Sequence, residues 1–144
     1  MPKLAKKSTM SLGRIFMSDC LFCKIIDGSI PSYTVYEDDK VKVFLDINPN
    51  NDGHLLVIPK EHKANLYEMD DDTLIYMLNI IREKLKSILS DKLNIDGLTI
   101  SQNNDYGQEV KHFHIHVIPR YKNDKFPLAS NCSKVEDVYH KLVG

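Results

Sequence analysis

Short runs of β-branched and aromatic residues recur along the chain and predict a series of strands. The five predicted strands are Ser32–Glu37, Val41–Ile47, Gly53–Ile58, Gly97–Asn103 and Lys111–Ile118. Asp38–Lys40 is turn-like in composition, so the first two strands are predicted to form a hairpin. Asn48–Gly53 has the composition of a loop and separates the second strand from the third.

A different apolar period predicts one long helix over Asp70–Lys92. Its apolar residues fall at steps of three and four and would form a single face: Leu74, Met77, Leu78, Ile81, Leu85, Ile88 and Leu89. Three aspartates, Asp70 to Asp72, supply a cap and favourable negative charge at its start. Shorter helices are predicted at Cys20–Asp27 and Val135–Leu142.

The order of these elements predicts an α+β fold. A short helix is followed by three strands, the long helix, two more strands and a last short helix. Because most links between strands are short, we expect an antiparallel five-stranded sheet with one long helix and short terminal helices.

Size and composition fit one soluble domain with a hydrophobic core. The chain has 144 residues, of which 42% are apolar and 27% are charged, and its net charge is −1. This balance does not indicate a strongly cationic surface for binding nucleic acid. No apolar run approaches the roughly 20 residues that span a bilayer, so no membrane partner is predicted.

Residues 1–17 differ from the rest of the chain, because they contain basic residues and serines but no acidic residue. This composition is typical of a disordered or non-native extension, and an organellar targeting segment remains an alternative. Residues 18–144 are therefore predicted to form the single folded domain. The odd count of three cysteines fits a reducing compartment, so a cytoplasmic location is predicted.

Three histidines occupy alternate positions of the fifth predicted strand, at His112, His114 and His116. Because alternate side chains of a strand share a face, these imidazoles would line one side, with Phe113 and Val117 directed at the core. The arrangement could direct imidazoles at a zinc ion, or it could supply a nucleophile and general acid–base groups near pH 7. A polar surface that happens to be rich in histidine is the third interpretation.

The segment before these histidines favours an anionic, oxygen-rich ligand. Gly107 permits close backbone approach, and Asn103, Asn104, Gln108 and Lys111 supply hydrogen-bond donors. Such a loop suits a phosphate better than it suits a dedicated metal site.

The pattern HFHIHV, residues 112–117, resembles the signature of the histidine triad (HIT) superfamily of nucleotide hydrolases and transferases. Four blocks in the same order extend the resemblance: CLFCKIIDGSIPS, VFLDINP, GHLLVIPKEH and QNNDYGQEVKHFHIHVIPR. They cover most of Ser18–Tyr121 and resemble the bacterial-type, zinc-containing branch. The resemblance implies a HIT-like version of the α+β fold.

The resemblance also implies catalytic roles for four histidines. His114 would attack the α-phosphorus of a purine nucleotide and form a nucleotidyl-histidine, while His116 would contact the phosphate and the leaving group. His54 and His112 would complete the network behind the nucleophile. The implied enzyme hydrolyses a nucleoside phosphoramidate or a dinucleoside polyphosphate. The alternatives are a nucleotidyltransferase and a zinc-stabilised nucleotide-binding module with a signalling or scaffold role.

A nucleotide pocket is implied by the same resemblance. Asp46 would accept hydrogen bonds from the ribose hydroxyls, and Asn103 and Gln108 would hold the phosphate. The apolar slot for the base would be formed by Phe22, Ile25, Phe44 and Ile47. Pattern alone would instead place these apolar residues in the core and Asp46 in a turn.

Cys20 and Cys23 have C-x-x-C spacing, which fits a redox pair, two buried thiols or half of a metal site. The resemblance implies a structural zinc completed by His62 and His112. Weaker alternative ligands in the C-terminal part of the chain are Cys132 and His140. Members of this branch are commonly homodimers, so a homodimer is implied as well.

The loop before the histidines departs from the family pattern. Many relatives carry a longer link rich in glycine and alanine, and a serine after the GQ pair, whereas this chain has Glu109 at that position. An acidic side chain is unfavourable beside a phosphate because like charges repel. The roles of Gln108 and Glu109 are therefore open at this stage.

Overall fold

The computed structural model of the chain describes residues 19–127, 129–131 and 133–144. The predicted extension over residues 1–17 and the alternative ligand Cys132 lie outside the described residues. The described chain has the predicted α+β fold, with a five-stranded antiparallel sheet, a long helical segment and short helices.

Five strands form one antiparallel sheet in the order β1-β2-β3-β5-β4. Their bounds are β1 Thr34–Glu37, β2 Val41–Leu45, β3 Leu55–Pro59, β4 Gly97–Ser101 and β5 Ile115–Arg120. β1 and β2 form the predicted hairpin, and Asp38 closes its turn by accepting hydrogen bonds from the Lys40 and Val41 amides at 2.8 and 2.9 Å. β3 pairs with β5, which brings His54, just before β3, next to His116.

The helices are α1 Leu21–Ile26, α2 Asp71–Ile80, α3 Lys86–Leu93 and α4 Val135–Val143, with a 3-10 turn at Leu66–Glu68. A π-helical segment, Ile81–Leu85, joins α2 to α3, so the predicted long helix is present but not regular. Asp70 caps its start by accepting a hydrogen bond from the Thr73 amide at 2.9 Å. None of the described helices has the length and apolar character needed to cross a membrane.

The π segment keeps one row of helix side chains against the sheet. Met77, Ile81, Leu85 and Leu89 are buried at steps of four, a spacing that drifts by about 40° per step around a helix of 3.6 residues per turn. The wider turn of a π segment absorbs part of this drift. The apolar period predicted this buried row but not the local geometry, and Leu78, expected on the same face, is 50% exposed.

Apolar side chains cover both faces of the sheet, because successive residues of a strand point to opposite sides. The larger core packs one face against the long helix and includes Val43, Val57, Leu85, Phe113 and Val117. The smaller core packs the other face against α1 and includes Phe22, Ile25, Phe44, Leu56 and Ile58.

The histidine-bearing strand begins later than predicted. The prediction was Lys111–Ile118, whereas β5 begins at Ile115. Before β5 the chain bonds to the segment after β3 instead of extending the ladder, since the Phe113 amide donates to the Lys63 carbonyl at 2.7 Å. Two of the three histidines therefore lie on an irregular segment, although Phe113 still points into the larger core.

Candidate functional site

A cavity of about 860 Å³ opens on the α1 side of the sheet. Predicted site residues from five segments of the chain line it: Phe22, Ile25, Phe44, Asp46, Ile47, His54, Asn103, His114 and His116. The volume is in the range typical of small-molecule sites, and most of its surface is apolar with a few converging polar groups.

His114 has one ring nitrogen fixed by the backbone and the other available. Its Nδ1 lies 2.7 Å from the His112 carbonyl oxygen, which only accepts hydrogen bonds, so Nδ1 carries the proton. The lone pair of the neutral ring is then on Nε2. Burial lowers the pKa of His114, and the His112 carbonyl, Asp46 and Glu109 offset part of this shift. The neutral, nucleophilic form is therefore favoured near pH 7.

His54 and His116 form a hydrogen-bonded pair with a defined direction. The Asn50 amide donates to His54 Nδ1 at 3.0 Å, so the neutral His54 ring carries its proton on Nε2. This proton is donated to His116 Nδ1, 2.9 Å away. His116 then carries its own proton on Nε2, available to a leaving group. Burial is the main cause that lowers the pKa of His116 to about 4, and electrostatic repulsion by His114 and His54 adds to the shift.

Asp46 lies beside the histidine pair and also shapes the loop after β2. One carboxylate oxygen is 3.6 Å from His54 Nε2, and the other accepts a hydrogen bond from the Asn48 amide at 2.9 Å. Asp46, His54 and His116 are close enough to share a metal ion. However, His54 Nε2 donates its proton to His116 and so has no lone pair for a metal ion, which makes hydrogen bonding the better description of this group.

A separate cluster lies at the N-terminal end of α1 and consists of Cys20, Cys23, His62 and His112. Cys20 Sγ is 3.4 Å from His112 Nδ1, Cys23 Sγ is 3.3 Å from His62 Nδ1, and the two Nδ1 atoms are 3.1 Å apart. A tetrahedral zinc ion with usual bond lengths holds its ligand atoms about 3.3–3.8 Å apart. The two sulfur–nitrogen distances lie in this range, the nitrogen–nitrogen distance is slightly shorter, and the two-cysteine, two-histidine chemistry is compatible with zinc.

The second ring nitrogen of His112 supports the same interpretation. His112 Nε2 donates to the Pro59 carbonyl at 2.8 Å, which leaves the Nδ1 lone pair directed at the cysteines. Sequence reasoning assigned His112 to both the catalytic and the metal set. The structure puts its ring with the cysteines and only its carbonyl against His114. The alternative ligand His140 is exposed on α4 and is not part of the cluster.

The apolar slot predicted for the base is partly core and partly cavity lining. Phe22, Ile25 and Phe44 belong to the smaller core and also face the cavity, so their place in the core is confirmed and contact with a base stays a prediction. Phe22 packs edge-on against His114, with ring centroids 5.0 Å apart. Ile47 is 80% exposed and lies at the rim.

Gln108 lies beside the cavity rather than in its lining. Its side-chain amide donates to the Ala64 carbonyl at 2.6 Å, and its side-chain oxygen accepts from the Asp105 amide at 3.1 Å. This side chain therefore braces the loop before the histidines, and contact with a phosphate stays a prediction. The next residue, Glu109, does line the cavity.

Two groups that fix the histidine tautomers were missing from the sequence analysis. They are the Asn50 amide, which donates to His54, and the Pro59 carbonyl, which accepts from His112. Both belong to the backbone, so the residue types at these positions carry no signal of them. The only available hint was that a loop precedes His54 and a proline ends β3.

Comparison with known proteins identifies a family and several relatives. The HIT domain model matches residues 27–123. An uncharacterized HIT-like protein of Methanocaldococcus jannaschii is 49% identical over 107 residues, covering 73% of this chain and 81% of that protein. A Candida albicans protein named adenosine 5′-monophosphoramidase is 40% identical over 108 residues, covering 72% of this chain and 71% of that protein.

A solved structure is similar over most of both chains. It is a zinc-bound histidine triad family protein from Mycobacterium smegmatis, with a TM-score of 0.72 and 33% identity. The alignment covers 83% of this chain and 87% of that chain.

Proposed function

The chain belongs to the HIT domain family, and on this basis we propose that it is a nucleotide hydrolase that acts at the α-phosphate through a nucleotidyl-His114 intermediate. The observation that carries the proposal is the fixed His114 tautomer, which leaves Nε2 as a lone-pair nucleophile on a cavity-lining residue. The name of the Candida albicans relative supports a phosphoramidate substrate.

The first step forms a bond from His114 Nε2 to the α-phosphorus and breaks the bond from phosphorus to the leaving group. The departing nitrogen takes up a proton from solvent as its bond to phosphorus breaks, so an amine leaves uncharged, and the neutral His116 ring donates a hydrogen bond from Nε2 to the reacting group. Nucleotidyl-His114 is then cationic, and its ring centroid is 5.0 Å from that of His116. His116 stays neutral in this step, so it adds no like charge beside the cationic ring.

The second step returns the site to its starting state. Water attacks the phosphorus and releases one proton to solvent, and the bond to His114 Nε2 breaks. The product is a nucleoside 5′-monophosphate. The hydrogen bond from His54 keeps the His116 ring oriented through both steps.

The nucleoside is proposed to occupy the α1 end of the cavity. Phe22, Ile25 and Phe44 would contact the base, because they offer an apolar, partly aromatic surface. Asp46 would accept hydrogen bonds from the ribose hydroxyls, since a carboxylate has only acceptor sites.

We also infer a structural zinc ion held by Cys20, Cys23, His62 and His112. The bound ion would cross-link α1 to the segments that follow β3 and precede β5. Four protein ligands fill a tetrahedral site, so the ion would leave no open position for chemistry. Its contribution to catalysis would be indirect, because His112 supplies the carbonyl that fixes His114.

A homodimer is proposed through the β4 edge of the sheet. β4 is an edge strand, and a shallow groove beside it is lined by Leu78, Ile81, Leu98 and Ile100. Leu78 and Ile100 are 50% and 49% exposed. Unpaired strand edges with exposed apolar neighbours are suited to pairing with a second copy.

A substrate panel tests the proposed activity. Adenosine phosphoramidates, adenylated lysine, and diadenosine tri- and tetraphosphate are assayed with the wild type and with His114→Ala. We expect hydrolysis by the wild type and a loss of at least about a thousand-fold in His114→Ala, because the nucleophile is removed. Failure of the wild type to hydrolyse every member, or unchanged rates in the folded variant, would contradict the proposal. Added phosphate as a competing acceptor tests the transferase alternative.

A further inference from the structure

The fixed charges in the described lining of the cavity are all negative. Asp46 and Glu109 are the acidic residues there, and none of the described lining residues is a lysine or an arginine. Sites that bind several phosphate groups normally place arginine, lysine or a metal ion against them. A chain of phosphates would therefore meet two carboxylates and no cationic side chain among the described residues.

Lys111, the lysine nearest to Glu109 along the chain, does not add a positive charge to the cavity lining. Lys111 Nζ donates to the Asp105 and Gln108 carbonyls at 2.8 and 3.0 Å, so its ammonium group is held by the loop backbone. Arg120, near the end of β5, is paired with Asp124 at 2.8 Å. Neither residue lines the cavity.

The two carboxylates differ in what they contact. One carboxylate oxygen of Asp46 accepts a hydrogen bond from the Asn48 amide, and the other lies 3.6 Å from His54 Nε2. Glu109 is exposed, and its carboxylate makes no hydrogen bond or ion pair to any described residue. It comes from the loop that leads into the histidines, whereas the proposed base slot comes from α1 and β2. Glu109 is therefore placed to meet the part of a substrate beyond the α-phosphate.

We propose that Glu109 is a specificity-determining residue that selects substrates whose leaving group carries a positive charge. The preferred class is a nucleoside 5′-phosphoramidate of an amine that bears a second, cationic group. A single α-phosphate needs only the neutral donors present, whereas a polyphosphate leaving group would be repelled by Glu109. The inference rests on the proposed hydrolase function and adds the charge of the leaving group to it.

The test uses three adenosine 5′-phosphoramidates of matched length, made with 1,5-diaminopentane, pentylamine and 5-aminopentanoic acid. Their leaving groups end in an ammonium, a methyl and a carboxylate group. We expect kcat/KM of the wild type to fall in that order. Glu109→Gln should reduce the preference for the ammonium over the methyl substrate by about three- to ten-fold. This factor corresponds to the interaction energy of one partly solvated charge pair. Glu109→Lys should reverse the order.

Controls separate this selectivity from general effects. Glu83→Gln removes an exposed carboxylate on the π segment, away from the cavity, and should keep the wild-type preference. The preference should weaken with added salt in the wild type and not in Glu109→Gln. Diadenosine tetraphosphate, with and without Mg²⁺, should be a poorer substrate than the ammonium compound and should gain from Glu109→Lys.

The possible failures can be distinguished. Equal preferences in the wild type and Glu109→Gln, with all three compounds hydrolysed, would overturn the role of Glu109 and leave the hydrolase function intact. Absence of hydrolysis of every compound by the wild type would overturn the proposed function itself, and this inference with it.

Discussion

At the scale of single residues, backbone groups decide what each histidine is able to do. The His112 carbonyl fixes the His114 proton on Nδ1, the Asn50 amide fixes the His54 proton on Nε2, and the Pro59 carbonyl turns His112 Nδ1 to the cysteines. Chemically identical side chains thus become a proposed nucleophile, a hydrogen-bond donor and a candidate metal ligand. Hydrogen-bond partners supplied by the fold, not the residue type, separate these roles.

The proposed zinc site can be tested by replacing one of its ligands. Purified wild type should contain about one zinc ion per chain by elemental analysis. Cys23→Ser should lower zinc affinity by more than the roughly 10- to 100-fold typical of changes outside the ligand sphere, and should lower the thermal midpoint because bound metal stabilises the fold. His140→Ala is the matched control, because its exposed ring on α4 lies outside the cluster. Equal zinc content in Cys23→Ser and wild type would contradict the assignment.

At the scale of elements, Asp38 joins the β1–β2 hairpin to the long helix. Its carboxylate accepts hydrogen bonds from the Tyr36 hydroxyl at 2.8 Å, from the Tyr76 hydroxyl on α2, and from two turn amides. Burial raises the pKa of Asp38, but these hydrogen bonds outweigh it and lower the pKa to about 2. The ionised carboxylate is therefore the form that holds the two elements together.

Stability should depend on pH through this carboxylate. The folded-state pKa lies below the unfolded value of about 4, so the stabilisation is complete above pH 4 and is lost as the pH falls towards 2. Asp38→Asn should cost about 1–2 kcal/mol at pH 7, and the gap to wild type should narrow between pH 4 and pH 2. Denaturant unfolding across this range measures the difference. A gap that stays constant, or one shared by the exposed neighbour Asp39→Asn, would argue against it.

Two glycines with similar backbone angles provide a matched test of packing beside the site. Gly53 and Gly107 have φ of +87° and +93°, where any other residue is strained. A Cβ on Gly53 would lie 2.5 Å from Leu93 and 3.1 Å from Pro119, whereas one on Gly107 would meet no atom within 4 Å. We expect Gly107→Ala to cost about 1 kcal/mol and Gly53→Ala about 1–2 kcal/mol more, because Leu93 is 41% exposed and able to move whereas Pro119 is less so. Equal costs in denaturant unfolding would show that the predicted contacts at Gly53 relax freely.

Element boundaries were predictable where apolar period or turn chemistry set them, and not where long-range pairing did. The β1–β2 hairpin and the Asp70 cap follow from local sequence. The late start of β5 does not, because Phe113 bonds to Lys63 instead of continuing the ladder. The π segment was also missed, since it depends on how the helix packs against the sheet, and the local residue types do not indicate that packing.

At the scale of the whole molecule, the fold brings together segments that are distant in the chain. Sequence reasoning assigned nine of the 21 described residues that line the cavity, because a resemblance over several ordered blocks located them. It did not reveal that Gln108 braces the Asp105 loop, that His112 serves His114 only through its carbonyl, or which atoms carry protons. These features depend on distances of a few ångströms between remote segments.

The proposed homodimer can be tested by substitutions in the groove beside β4. If the β4 edge forms a homodimer, Ile100→Glu and Leu78→Glu should each produce monomers at micromolar concentration, because a charge would be buried in an apolar interface. Ile75→Glu is the matched control, since Ile75 is 58% exposed on α2 but does not line the groove beside β4. Light scattering coupled to size-exclusion chromatography distinguishes the species. A monomeric wild type, or a dimer insensitive to both substitutions, would contradict this interface.

The central claim is that catalysis passes through a covalent bond to one nitrogen of His114. The most direct measurement is mass spectrometry of the wild type quenched without acid during turnover of an adenosine phosphoramidate, with peptide mapping of the adduct. We predict an added adenylyl group on His114, formed and consumed at rates compatible with turnover, and absent from folded His114→Ala. An adduct on another residue, or steady hydrolysis in the wild type with no adduct at any time point under conditions that preserve a synthetic nucleotidyl-histidine, would contradict the account.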